Sequence, residues 1–165
     1  IMPSLVGSEM CIRDSIIIGA AFDQISKYMT QETLPLGSLK AVIPNWLYFT
    51  LVYNKGVAFS LFSDGHSLVN YLVFILALLI CVYLTIAIIK DRFNRLQKSA
   101  GALIIAGAIG NVLDRLFNGY VIDFIYFNHH SFSWPVFNLA DSFISVGAFL
   151  LIIESFAQNR RSALH

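Results

Sequence analysis

The chain has 165 residues, of which 57% are hydrophobic and only 13% are charged, with a formal net charge of +1. An average soluble domain has about a quarter charged residues and about half apolar residues, so this composition excludes an ordinary soluble domain and indicates an integral membrane protein. The two cysteines, Cys11 and Cys81, lie far apart without metal-ligand spacing, which argues against a disulfide framework or a zinc site.

The first predicted element is a short apolar helix that follows an atypical N-terminal segment. Residues 1–15 mix Pro3, Gly7 and charged side chains and lack the apolar run of a signal peptide. The apolar run begins at Ile16, and a helix from there to Thr30 extends only about 22 Å, less than the ~30 Å hydrocarbon core. We therefore expect residues 1–15 to be a non-native segment, an artefact of sequencing or assembly that replaced the start of the first span.

Two later stretches predict β-strands. Trp46–Tyr53 and Tyr120–Phe127 are rich in aromatic and β-branched residues, and residues 54–56 form a turn after the first of them. Val57–Phe62 is predicted to return as a partner strand. We expect a small sheet at the membrane surface, where Trp46 and its aromatic neighbours suit an interfacial belt.

Three further membrane spans are predicted after the first. Ser67–Ile89 contains no charged residue, and apolar runs also cover about Ala100–Phe117 and Pro135–Ala157. The segment Lys90–Lys98 is rich in Lys and Arg, and two arginines follow the last span. By the positive-inside rule, this segment and both termini are predicted to be cytoplasmic. Residues 30–65 and 118–134 are then predicted to lie outside.

The expected fold class is an all-α polytopic membrane protein with four transmembrane helices and a small extracytoplasmic β-sheet. Residues 16–158 are expected to form a single four-helix membrane domain, and residues 159–165 a cytoplasmic tail.

Two carboxylates interrupt otherwise apolar spans. An ionisable group inside a span costs at least ~2.5–3.5 kcal/mol, so Asp114 and Asp141 are candidate functional residues. In the predicted topology Asp114 lies about 21 Å and Asp141 about 25 Å from the cytoplasmic end of its helix. Both acids are therefore expected at a similar level in the outer part of the membrane.

Each acid shares a helix face with an amide side chain. Gly107, Asn111 and Asp114 follow helical spacing, as do Asn138 and Asp141. Two neighbouring carboxyl groups cannot both ionise easily, so one becomes a base while the other keeps a proton. No Ser or Cys with a His partner is predicted in a span, so this pair predicts aspartyl-type peptide hydrolysis without a metal or cofactor.

Simpler interpretations remain open for the same residues. Asp114 could pair with Arg115 at the interface, and Asp141 could be an acid that the N-terminus of its helix favours. Asp23 and Lys27, spaced i and i+4, are predicted to be a structural ion pair, and Asp123 to be a structural residue that forms hydrogen bonds.

Two other classes of protein remain possible from these residues. A proton-coupled transporter would place its acids near the midplane of the membrane. A non-enzymatic adaptor that docks partners on the outer sheet would explain neither carboxylate.

The chain resembles the lipoprotein signal peptidase (signal peptidase II) family of bacterial intramembrane aspartyl proteases. Five segments carry the resemblance in family order; they are Asp23–Lys27, Tyr53–Phe59, Ala106–Arg115, Val121–Phe124 and Phe137–Asp141. One departure is Ala106, which stands where the family usually has a glycine.

The resemblance implies that Asp114 and Asp141 are the catalytic dyad. It also implies a substrate or inhibitor site, lined by Asn54, Gly107, Asn111, Arg115, Asn138 and Ala140. The implied substrate is a prolipoprotein that carries diacylglycerol on the cysteine after the cleavage point. Membrane lipid and the inhibitor globomycin are implied as further partners, nucleic acid is not, and the implied location is the bacterial inner membrane with the active site towards the extracytoplasmic side.

Overall fold

A computed structural model of the protein describes residues 2–55 and 66–162. These described residues form four helices and four strands. In chain order they are α1 (Met2–Thr33), β1 (Leu39–Ile43), β2 (Leu47–Asn54), α2 (His66–Ile89), α3 (Arg95–Asn118), β3 (Val121–His129), β4 (Phe132–Ser133) and α4 (Leu139–Ser162).

The four strands form one antiparallel sheet in the order β1-β2-β3-β4. β2 and β3 match the two predicted strands, and their register pairs Tyr48 with Tyr126 and Tyr53 with Ile122. β1 and β4 were not predicted, because β1 is a short edge strand without a buried face and β4 has only two residues. The predicted strand Val57–Phe62 lies outside the described residues.

Local capping residues set the ends of α3. Asn94 accepts a hydrogen bond from the backbone N–H of Gln97, and the Gln97 side chain accepts one from the backbone N–H of Asn94. Gly119 ends the helix in the left-handed conformation, with φ of 76°, which a glycine adopts without a steric cost.

The expected start of the last span at Pro135 is wrong. Phe137 forms a β-bridge with Ile125 and therefore belongs to the edge of the sheet. Asn138 caps the helix, which begins at Leu139 and continues to Ser162, so residues 159–162 are helical.

The first helix is much longer than the predicted apolar run. α1 has 32 residues and includes residues 2–15, and Ile12 and Ile16 pack against a buried cluster of α2 and α3 formed by Leu84, Ile88, Ile104 and Ile105. The non-native origin of residues 1–15 concerns how the sequence arose, so it stays a prediction.

Among the described residues, two helical segments are long and apolar enough to cross a membrane: α3 and residues Leu139–Arg161 of α4. Residues Phe74–Ile89 of α2 form a shorter apolar helix. α4 exposes large apolar side chains, including Phe149, Ile152 and Phe156. Exposed apolar groups at this density fit contact with lipid. The protein is therefore mostly helical, with apolar membrane helices and a small antiparallel sheet.

Gly107 allows α3 to approach α4 closely. A Cβ atom at Gly107 would overlap the carbonyl oxygen of Ala140 and lie 2.9 Å from Cγ1 of Ile144. Because backbone cannot move aside as a side chain can, we expect Gly107→Ala to cost roughly 1–3 kcal/mol of folding free energy. Thermal unfolding in detergent measures this loss.

Gly101→Ala on the same helix is the matched control. Its Cβ would lie 3.3 Å from the terminal methyl carbon Cδ1 of Ile88 and would meet no backbone atom of another element, so we expect a much smaller change in stability. Equal unfolding temperatures for the two variants would contradict the proposed close contact at Gly107.

Candidate active site

Asp114 is buried near the end of α3 and is held by three donors. Its Oδ2 lies 2.9 Å from Nζ of Lys27 and accepts a hydrogen bond of 3.0 Å from the backbone N–H of Ile122. Its Oδ1 accepts a hydrogen bond of 3.0 Å from Gln24. The side chain is 1% exposed, so this carboxylate is both enclosed and neutralised by a cation.

Asp23 and Lys27 form the ion pair that the sequence predicts. Oδ2 of Asp23 lies 2.7 Å from Nζ of Lys27, and Oδ1 accepts a hydrogen bond of 2.9 Å from the backbone N–H of Ala140. Gly110 leaves room for this carboxylate, because a Cβ there would collide with it. Since Lys27 also contacts Asp114, this buried cluster joins α1, α3 and α4.

Asp141 lies in the first turn of α4 and is partly exposed. Asn138 caps the helix, since its Oδ1 accepts a hydrogen bond of 2.9 Å from the backbone N–H of Asp141. Oδ2 of Asp141 lies 3.3 Å from the backbone N of Asn138. On its other side, Oδ1 accepts a hydrogen bond of 2.8 Å from Nδ2 of Asn111.

Asp123 lies on β3 beside the same asparagine. Its Oδ1 accepts a hydrogen bond of 2.7 Å from Nδ2 of Asn138, and its Oδ2 accepts one of 2.8 Å from Asn54. The pKa of Asp123 is raised to about 6, chiefly by burial and also by the negative charge of Asp141, against the opposing effects of the two amide donors and the charge of Lys27. Asn138 therefore bridges two carboxyl groups, one on the sheet and one on α4.

The raised pKa of Asp123 predicts a pH-dependent stability. The usual Asp value is 3.8, so between about pH 4 and pH 6 the folded protein keeps a proton that the unfolded chain releases. This stabilising contribution is complete below about pH 4 and is lost as the pH rises through 6, by up to about 3 kcal/mol. We expect Asp123→Asn to flatten this fall in unfolding temperatures measured in detergent; an unchanged slope would contradict the raised pKa.

The other predicted site residues occupy two kinds of position. Arg115 donates a hydrogen bond of 3.1 Å to the backbone carbonyl of Asn111 and interacts electrostatically with Asp141 and Asp123. Gly107 and Ala140 instead lie at the contact between α3 and α4, and Ala140 is fully buried.

Sequence reasoning missed one contribution to the site. Gln24 donates hydrogen bonds to Asp114 and to the carbonyl of Gly110, at 3.0 and 3.1 Å. Its position next to Asp23 was the available signal. The sequence predicts Asp123 to be a structural residue that forms hydrogen bonds, and it does accept them from Asn138 and Asn54.

Together, the fold and the site define a class of protein. A helical membrane protein in which two carboxyl groups contact one asparagine fits the class of aspartic peptidases, which use two acids for hydrolysis.

Comparison with known proteins identifies the family. Residues 15–157 match the family described as signal peptidase (SPase) II. The lipoprotein signal peptidase of a Neisseria meningitidis serogroup C strain is 38% identical over 96% of this chain and 97% of that relative. The lipoprotein signal peptidase of Chromobacterium violaceum is 44% identical over 84% of this chain and 86% of that relative. The chain belongs to the signal peptidase II family and is an aspartic-type peptidase.

Two solved structures share the fold. One is a bacterial membrane enzyme determined by the in meso method at 1.9 Å resolution, with 34% identity, a TM-score of 0.78, and coverage of 87% of this chain and 91% of that chain. The other, determined at 2.3 Å, has 33% identity, a TM-score of 0.79, and coverage of 90% and 89%. Both likenesses place this fold among bacterial membrane enzymes.

Proposed function

We propose that this protein removes signal peptides from diacylglyceryl-modified prolipoproteins by cutting before the lipidated cysteine. The observation that carries the proposal is a pair of carboxyl groups that both accept hydrogen bonds from Asn138: Asp123 from its side-chain Nδ2, at 2.7 Å, and Asp141 from its backbone N–H, at 3.3 Å. Family membership supports the class of substrate. The exposed apolar surface of α4 supports access of a lipid-anchored substrate from within the bilayer.

We further propose that Asp123, and not Asp114, works with Asp141. A shared proton requires two carboxyl groups that lack a neutralising cation in direct contact, because a close ammonium group favours the ionised form. Asp114 has Lys27 at 2.9 Å, whereas the described contacts of Asp123 are amides. The cleavage activity of Asp114→Asn tests the prediction that Asp114 is catalytic. The contact with Lys27 favours a positioning role for Asp114.

The pair supports hydrolysis through a tetrahedral intermediate. The ionised carboxylate takes a proton from a water molecule, whose oxygen then bonds to the carbonyl carbon of the scissile peptide. The protonated carboxyl donates a hydrogen bond to the carbonyl oxygen, where negative charge develops. The proton taken from water then passes to the leaving nitrogen as the C–N bond breaks, which releases the new amine of the lipidated cysteine.

We propose that all four helices span the membrane, with both termini cytoplasmic and the site towards the extracytoplasmic side. The basic residues Arg92 and Arg95, at the α2–α3 connection, and Arg160 and Arg161, at the end of α4, support this orientation. A C-terminal reporter that is active only in the cytoplasm tests it, and the opposite reporter signal would reverse the proposed orientation.

A cleavage assay tests the proposed activity. Purified protein in lipid is incubated with a prolipoprotein peptide that carries diacylglyceryl-cysteine, and with the same peptide lacking the lipid. We expect cleavage only of the lipidated peptide, and inhibition by globomycin. Equal cleavage of both peptides, or cleavage of neither, would overturn the proposed substrate.

A further inference from the structure

The orientation of the Asn111 side chain is fixed by its neighbours. A lysine ammonium group has donors and no acceptor, so the atom of Asn111 that lies 3.1 Å from Nζ of Lys27 must be the carbonyl oxygen Oδ1. The Nδ2 of Asn138 also donates to this oxygen, at 3.2 Å. The NH₂ group of Asn111 is therefore forced towards Asp141, to which it donates at 2.8 Å.

The orientation of Asn138 is fixed in the same way. Its Oδ1 accepts the backbone N–H of Asp141, which is a donor only. Its Nδ2 must then face the acceptors around it, among them Oδ1 of Asp123 and Oδ1 of Asn111. Neither amide can rotate by 180° without placing two donors or two acceptors against each other.

These fixed amides treat the two carboxyl groups differently. Asp141 receives the N–H of an amide whose opposite end contacts an ammonium group, and it lies in the first turn of α4, where the helix N-terminus favours negative charge. Asp123 lies on a strand, is 2% exposed, and is held by Asn54 and Asn138, which are uncharged. Burial is the largest effect on the pKa of Asp123 and favours its protonated form, against the opposing positive charge of Lys27.

We propose that Asn111, fixed by Lys27, is a positioning residue that orients Asp141 as the base of the pair, with Asp123 as the acid. This inference rests on the proposed function, because it assigns the acid and the base within the proposed pair. In this proposal Lys27 also has a functional role, because it fixes the orientation of the Asn111 side chain. On the described elements, Arg115 of α3 and Asp123 of β3 interact electrostatically with Asp141. Lys27 of α1, with its partners Asp23 and Asp114, lies on the other side of Asn111.

The first test is the pH dependence of kcat/KM for two Asn111 variants. Asn111→Leu removes the N–H that Asp141 accepts, and Asn111→Asp replaces it with a like charge of the same shape that can still pair with Lys27. Both should move the acidic limb of the profile to higher pH, by roughly one unit or more for Asn111→Asp, because ionisation of the base becomes harder. The alkaline limb should move less.

The matched control is Asn94→Asp at the other end of α3. Asn94 also donates its amide to a carboxylate on α4, Glu154, at 2.8 Å, but it lies outside the site. This control should leave both limbs in place. If the Asn111 variants lose activity without moving the acidic limb, or move only the alkaline limb, the proposal is overturned.

The second test needs no catalysis. Infrared difference spectra at about pH 5, below the pKa of about 6 for Asp123, report the C=O band of a protonated carboxyl group. The wild type minus Asp123→Asn spectrum should contain this band at full intensity. The wild type minus Asp141→Asn spectrum should contain at most a weaker band, because loss of the Asp141 charge lowers the pKa of Asp123. The reverse pattern overturns the assignment. Failure of the wild type to cleave lipidated peptide would instead contradict the proposed function, so the two failures are distinguishable.

Discussion

Replacing Asp141 or Asp123 with asparagine should lower kcat for a lipidated prolipoprotein peptide by about a thousandfold or more, since each variant removes one of the two proposed proton-transfer groups. Both amide side chains keep nearly the shape of the carboxyl group, and their carbonyl oxygens can accept the hydrogen bonds that Asn138 donates, so the fold should be retained. Steady-state cleavage rates, with circular dichroism and thermal unfolding of the same preparations, measure the two quantities separately.

Asp114→Asn separates the two possible dyads. If Asp114 only holds the Lys27 cluster together, this variant should lose stability but keep measurable cleavage in its folded fraction. Asp91→Asn is the matched control, because Asp91 pairs with Lys98 far from the site and its loss should leave kcat unchanged. Full activity of Asp123→Asn together with inactive, well-folded Asp114→Asn would restore Asp114 as the catalytic partner.

Lys27→Met should cause the largest loss of stability, about 3–5 kcal/mol, because it leaves buried carboxylates without their cation. Lys27 is 1% exposed and lies 2.7 Å from Asp23 and 2.9 Å from Asp114, while methionine has a similar length but no charge. The two acids would have to bind protons or draw water into the helix interface. Unfolding in detergent and the yield of folded protein from membranes measure the effect.

Lys98→Met is the matched control for this charge removal. Lys98 also pairs with an aspartate, but the side chain of Asp91 is 67% exposed, so water screens the pair. Such a pair contributes at most about 1 kcal/mol. Similar stability of Lys27→Met and Lys98→Met would contradict the view that the buried cluster joins the helices.

Much of the fold follows from local sequence patterns. The charge-free run at Ser67–Ile89 corresponds to α2, and the aromatic, β-branched stretches correspond to β2 and β3. The i and i+4 spacing of Asp23 and Lys27 correctly predicts their ion pair. Each of these features depends on residues close together in the chain, where periodicity and composition determine the outcome.

Local sequence patterns were enough to predict apolar membrane helices, a resemblance to signal peptidase II, and candidate functional acids at positions 114 and 141. The contacts between distant residues became known from the three-dimensional structure. Lys27 of α1 pairs with Asp114 of α3. Asn138 donates hydrogen bonds to Asp123 of β3 and to Asp141 of α4. The partners and the protonation of an acid depend on burial and on hydrogen bonds between distant segments. The spacing of residues along one helix contains no information about such contacts.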